Sequence, residues 1–126
     1  MPEVSRSERD KLAKRVTANR KQLEKLSATA PTNFLHRLFL LQAEECRVQG
    51  KETEARPLYD KGIQLARDNG YRHEEALGLE LAGKFYRAQR NRFLAESFLQ
   101  KAHAQYLQWG ARAKADHMAA RYPHFI

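Results

Sequence analysis

Five histidines, one cysteine, a Glu74-Glu75 pair and the basic run Lys84, Arg87, Arg90 and Arg92 are the residues whose chemistry goes beyond packing. Imidazoles grouped on one helical face would hold a transition metal. Here His36, His73, His103 and His117 fall on different segments, and Pro123 separates His117 from His124. Cys46 has no second cysteine with which to form a disulfide or a zinc pair, and reads as a small buried hydrophobe rather than a reactive thiol. Adjacent glutamates on a helix point about 100° apart, so Glu74 and Glu75 do not face one substrate as an acid/base pair; they suit a helix N-terminus instead. Glycine-rich phosphate loops and the HExxH zinc motif are absent from the sequence. The expectation is no catalytic residue, no metal and no cofactor. What remains is positive charge, whose chemistry is the capture of carboxylates or phosphates.

That charge is unevenly spread. The formal net value is +8, with +4 on residues 1–30, −2 on residues 31–83 and +6 on residues 84–126. Basic ends around a slightly acidic middle fit an acidic protein partner or nucleic acid. The longest apolar run, Leu38 to Leu41, is far too short to span a bilayer, and the N-terminal end lacks an apolar signal core. A cytoplasmic protein without a membrane partner is expected, and the lone cysteine suits a reducing compartment.

Helices must position these groups, because no alternation of the strand type occurs. Ser7 with Asp10 three residues later predicts a capping box opening a first helix, with Leu12, Val16, Leu23 and Leu26 on a narrow stripe and an end near Ser27. After the break ATAPTN, Asn33 is expected to cap a second helix carrying Leu35, Leu38, Phe39, Ala43 and Cys46, closed by Gly50. A third helix is predicted from about Thr53 to Asp68, a fourth from His73 to Gln89 and a fifth from Arg92 to Gln108. Trp109 and Gly110 mark the end of the fifth: an aromatic that needs a packed site, then a glycine free to close the helix. Ala111, Ala115, Met118, Ala119 and Tyr122 form the stripe of a short last helix, halted at Pro123.

Sliding the chain by 40 residues reveals an internal repeat. Ala43 meets Gly83, Arg47 meets Arg87, Ala55 meets Ala95, Leu58 meets Phe98, Gly62 meets Ala102 and Gly70 meets Gly110. Small pairs with small and large apolar with large apolar, as in tetratricopeptide-like arrays of helix, turn and helix. The runs NGYRHEEALGLELAGKFYRAQ and AESFLQKAHAQYLQWGARAK, the terminal RYP, and the upstream VTANRKQLEKLSATAPTNFLHRLFLLQAEECR carry a more specific likeness. Over about residues 12 to 126 the chain resembles the tetratricopeptide-like helical segment of very large bacterial and fungal signalling proteins. In those proteins a serine/threonine kinase-like domain and a predicted ATPase module precede the segment, and sensor domains and a histidine kinase follow it. Arg90 stands where that family carries glycine after the FY helix.

The expected fold is an all-α, tetratricopeptide-like superhelix of five to six helices forming one domain, residues 1–126. Its parts are an N-terminal helix in 1–30, a repeat in 34–70, a repeat in 73–110 and a capping helix in 111–122. Trp109, Gly110, Tyr122 and Pro123 are its structural landmarks. Unless the flanking helices seal the stack, a homodimer is expected. In such arrays the first helix of each repeat lines the concave face. That register brings Arg37, Leu40, Glu44, Arg47 and Val48 from one repeat together with Leu77, Glu80, Lys84, Arg87 and Ala88 from the next. Arg37, Glu44, Arg47, Glu80, Lys84 and Arg87 are the candidate partner-binding residues. The expected function is non-enzymatic: a scaffold that binds a protein or peptide, or an adjacent kinase, ATPase or sensor domain. The alternative is a small basic nucleic-acid-binding protein, in which Lys84, Arg87, Arg90 and Arg92 together with the basic first helix would track a phosphate backbone, with Phe93 alone for stacking.

Overall fold

The four central turns repeat one geometry at twenty-residue steps. Gly50, Gly70, Arg90 and Gly110 all have positive φ, at 75°, 78°, 60° and 74°. At each turn the next amide returns to the helix just ended: Lys51 to Cys46, Tyr71 to Ala66, Asn91 to Tyr86 and Ala111 to Tyr106, at 2.8 to 2.9 Å. These are Schellman closures, which satisfy carbonyls that a helix C-terminus leaves without partners. Three use glycine, which takes the left-handed conformation without a Cβ penalty. Arg90 occupies the fourth.

The computed structural model describes residues 5–126, in six helices. They are α1 (Arg6–Thr29), α2 (Pro31–Val48), α3 (Glu52–Asp68), α4 (Arg72–Ala88), α5 (Arg92–Gln108) and α6 (Arg112–Arg121). No strand occurs among the described residues, and the fold is all-α. Residues 1–4 of the expected N-terminal segment lie outside the described residues.

Two starts differ from the sequence expectation. The α1 cap is Ser5, whose hydroxyl accepts from the Glu8 amide at 3.2 Å, rather than Ser7 with Asp10. Ser5 and Glu8 have the same capping-box spacing, and using them adds residues to the helix. In α2 the first helical residue is Pro31, a position where a missing N–H costs nothing. Asn33 therefore lies within the first turn, and its Oδ1 accepts from the Tyr71 hydroxyl at 2.8 Å.

Packing is closest within two hairpins, α2 with α3 and α4 with α5; α1 lies on α2, α3 on α4 and α6 on α5. Small residues let these helices approach. Gly62 sits under Leu40, and a Cβ there would come within 2.7 Å of the Leu40 Cγ and Cδ2 atoms. The core runs through fully buried Ala43, Tyr59, Leu99 and Met118. Tyr59, Phe85, Tyr86 and Phe98 form an aromatic row with successive centroids 5.1 to 5.3 Å apart. Phe85 and Tyr86 are thus core, and half-buried Cys46 packs against the same core.

The ends are held differently. On α1, Val16 and Leu23 are half-buried while Leu12 and Leu26 are exposed, so the expected stripe is only partly covered. Arg20 compensates: its Nε lies 3.1 and 3.2 Å from the two carboxylate oxygens of Glu45 on α2. On α6, Ala115, Met118 and Tyr122 are buried and Ala119 is exposed.

Candidate functional site

Helical spacing places Glu44 and Arg47 on one face of α2, and Lys84 and Arg87 on the matching face of α4, each pair separated by three residues. The stacking of α4 beside α2 sets the two pairs opposite one another. The end of α6 supplies Arg121 and Tyr122. These residues and Ala88 line a cleft of about 260 Å³.

Four cations and one carboxylate share this lining. Arg47 is bound to Glu44, with Nε at 2.8 Å and Nη2 at 2.7 Å from Oε2, and the Tyr59 hydroxyl donates to Glu44 Oε1 at 3.1 Å. Lys84, Arg87 and Arg121 form no ion pair with any carboxylate of the described residues. Arg87 and Arg121 instead lie against the Tyr122 ring, with their Cζ atoms 5.0 and 5.7 Å from its centroid. The negative face of an aromatic ring orients guanidinium groups while leaving their N–H edges available to an anion. Tyr122 itself is 1% exposed, and its hydroxyl has no hydrogen-bond partner among the described residues. Burial raises its phenol above the ordinary value; nearby Glu80 adds to the rise, while Arg121 and Arg87 oppose it.

Two expected groove residues are elsewhere. Glu80 is buried, accepting from the Tyr106 hydroxyl at 3.1 Å and pairing with Lys114 Nζ at 3.2 Å. It ties α4 to α5 and α6 because a buried carboxylate needs donors, and those helices supply them. Arg37 pairs with Glu74, whose Oε2 also lies 2.7 Å from Nε2 of the fully buried His36. His36 stacks on Tyr71 with centroids 4.6 Å apart. This node joins α2 to α4 away from the cleft. Of the apolar groove candidates, Leu40 is buried beneath Gly62 and Gly78, while Val48 and Leu77 are exposed without lining the cleft.

Other expectations also need correction. Trp109 does not fill a packed site: it is 44% exposed at the α5 C-terminus, covered on one face by Arg72 at 5.1 Å. The glutamate pair does more than face a helix dipole. Glu75 is 2% exposed and accepts from Arg67 Nε at 2.9 Å and from Gln105 Nε2 at 2.7 Å. Gly110 and Pro123 occupy the turn and the α6 terminus where the sequence places them.

Arg121 is the cleft residue that sequence reasoning missed. The forty-residue step pairs it with Leu81, which does not line the cleft, so the repeat carries no signal for it. Among the described residues no group of three or more His, Cys, Asp or Glu is arranged to hold a metal ion. No described helix is long and apolar enough to cross a membrane. No protein-family model, curated protein or solved structure matches this chain.

Proposed function

We propose that this chain is a non-enzymatic binding module whose cleft captures an acidic segment of a protein partner. One observation carries the reading: Arg47, Lys84, Arg87 and Arg121, from three helices, converge on a concave space that contains a single carboxylate. Among the described residues three of these cations have no carboxylate partner, while Glu24, Glu45, Glu74, Glu75, Glu80 and Glu96 are consumed in ion pairs elsewhere. Cations so placed bind carboxylates with charge-assisted hydrogen bonds. The likeness to helical segments between kinase, ATPase and sensor domains extends the proposal: the acidic segment belongs to a neighbouring signalling domain, and the module holds it in place.

Fluorescence anisotropy with a labelled oligoglutamate peptide tests this. Arg87→Glu and Lys84→Glu should each abolish binding at unchanged helicity, whereas Arg56→Glu, outside the cleft, should leave it intact. Equal affinity of all variants would remove the cleft from the function.

A second reading draws on α1, whose exposed Lys11, Lys14, Lys21 and Lys25 make no ion pair with the described carboxylates. If α1 tracks a phosphate backbone, a random-sequence DNA duplex binds with a steep salt dependence that α1 substitutions flatten.

A further inference from the structure

We infer that the cleft formed by the end of α6 against α4 is a phosphoryl site: it takes a phosphorylated side chain of the partner segment, not merely a carboxylate. The inference rests on the binding reading above and names its ligand.

Counting charge and donors separates the two anions. A carboxylate brings one charge and two oxygens, and one guanidinium fork satisfies it. The lining offers Lys84, Arg87 and Arg121, which have no carboxylate partner among the described residues, and a fourth cation, Arg47, held by Glu44. A phosphoryl group carries close to two negative charges at neutral pH and three acceptor oxygens. Three free cations match three oxygens.

The arrangement is also directional. Lys84 and Arg87 come from α4 and Arg121 from the end of α6, so the cations approach from two elements rather than from one stripe. The Tyr122 ring sets both guanidiniums, 5.0 and 5.7 Å from its centroid, which limits the side-chain entropy lost on binding. Tyr122, whose buried hydroxyl has no hydrogen-bond partner among the described residues, lines the same cleft. Glu44 does not repel an incoming dianion strongly, because Arg47 and Tyr59 already occupy its oxygens. A volume of about 260 Å³ accommodates a phosphorylated side chain but no folded ligand. The occupant is therefore an extended phosphopeptide, whose flanking backbone stays outside the cleft.

The test compares two blocked pentapeptides, Ala-Ala-phosphoserine-Ala-Ala and its aspartate counterpart, by amide chemical-shift titration of the full chain. The phosphorylated peptide should bind about tenfold or more tighter, the worth of one additional charge-assisted hydrogen bond, with shifts centred on Lys84, Arg87 and Tyr122. Its affinity should fall between about pH 7 and pH 5, as the phosphoryl group gains its second proton near pH 6; the aspartate peptide should show no such fall. Arg121→Ala should erase the preference, and Arg121→Lys should restore part of it, which a folding defect would not allow. Equal affinity for the two peptides at the cleft overturns the phosphoryl inference and leaves the acidic-segment reading standing. Shifts elsewhere, no shifts at all, or tighter binding of a random-sequence DNA duplex overturn both.

Discussion

Replacing Gly62 with alanine sets two opposing effects against each other in one methyl group. In an isolated helix the change stabilises by about 0.5–1 kcal/mol, because glycine loses more backbone entropy on folding than alanine does. In α3 the added Cβ would lie 2.7 Å from Leu40 Cγ and Cδ2 and 3.2 Å from the His36 carbonyl oxygen. Neither obstacle moves easily. Leu40 is buried and also lies against Gly78, and the carbonyl belongs to the α2 backbone. Overpacking of this kind costs about 1–3 kcal/mol, so the net result should be a loss of up to about 2.5 kcal/mol. For a chain of 126 residues each kcal/mol lowers the thermal midpoint by about 3–6 °C. Urea and thermal unfolding followed by circular dichroism measure both values. The decisive comparison is the same substitution in a Leu40→Ala background, where the closer obstruction is gone and only the His36 carbonyl at 3.2 Å still opposes the helical gain. Gly62→Ala should then be neutral or stabilising, giving a coupling between the two sites. If Gly62→Ala raises the midpoint with Leu40 intact, α2 and α3 do not pack as described and the reasoning fails.

Two further outcomes follow from the turns and the buried phenols. Arg90→Gly removes a side chain from a left-handed position, φ 60°, that glycine fills at the three equivalent turns; stability should rise by about 0.5–1 kcal/mol despite the added freedom of the unfolded chain, and a lower urea midpoint would contradict this. Burial, reinforced by Glu44 at Tyr59 and by Glu80 at Tyr106, raises both phenols above the ordinary value of 10.0. A raised folded value means that the folded state holds protons the unfolded state releases, so their contribution is full below pH 10 and is lost as pH rises through the folded values. Alkaline unfolding should accompany phenolate absorbance, and Tyr59→Phe with Tyr106→Phe should flatten the stability profile above pH 10; tyrosines that titrate freely in the folded chain would refute the burial argument.

Local chemistry made much of this molecule readable before its structure. Glycines at positions 50, 70 and 110 announce closures, and apolar spacing of 3.6 announces the helices between them. The pairs Glu44–Arg47 and Lys84–Arg87 were legible because a repeat copies position even where the charge changes, as from Glu44 to Lys84: residues forty apart occupy like places on corresponding helices. Arg37 and Glu80 carry the same charges at plausible positions, yet partners 37 and 26 residues away, Glu74 and Tyr106, divert them. Such pairings depend on which helix lies across which, and no local pattern records that. The burial of Glu75 is similar. Its counterparts at 55, 95 and 115 are buried alanines, and only the arrival of Arg67 and Gln105 makes an acid tolerable there. Arg121 joins the cleft for the same non-local reason.

The cleft draws on α2, α4 and the end of α6, while most contacts in the stack join one helix to the next in sequence. A chain built this way behaves like a row of neighbours, each able to loosen with little effect on distant ones. An anion gripped by Lys84, Arg87 and Arg121 together links the fourth helix to the last across the one between them. Occupancy would therefore convert these semi-independent rungs into one cooperative unit, and the protection of backbone amides on α5, which lends no residue to the cleft, would report whether the ligand is bound.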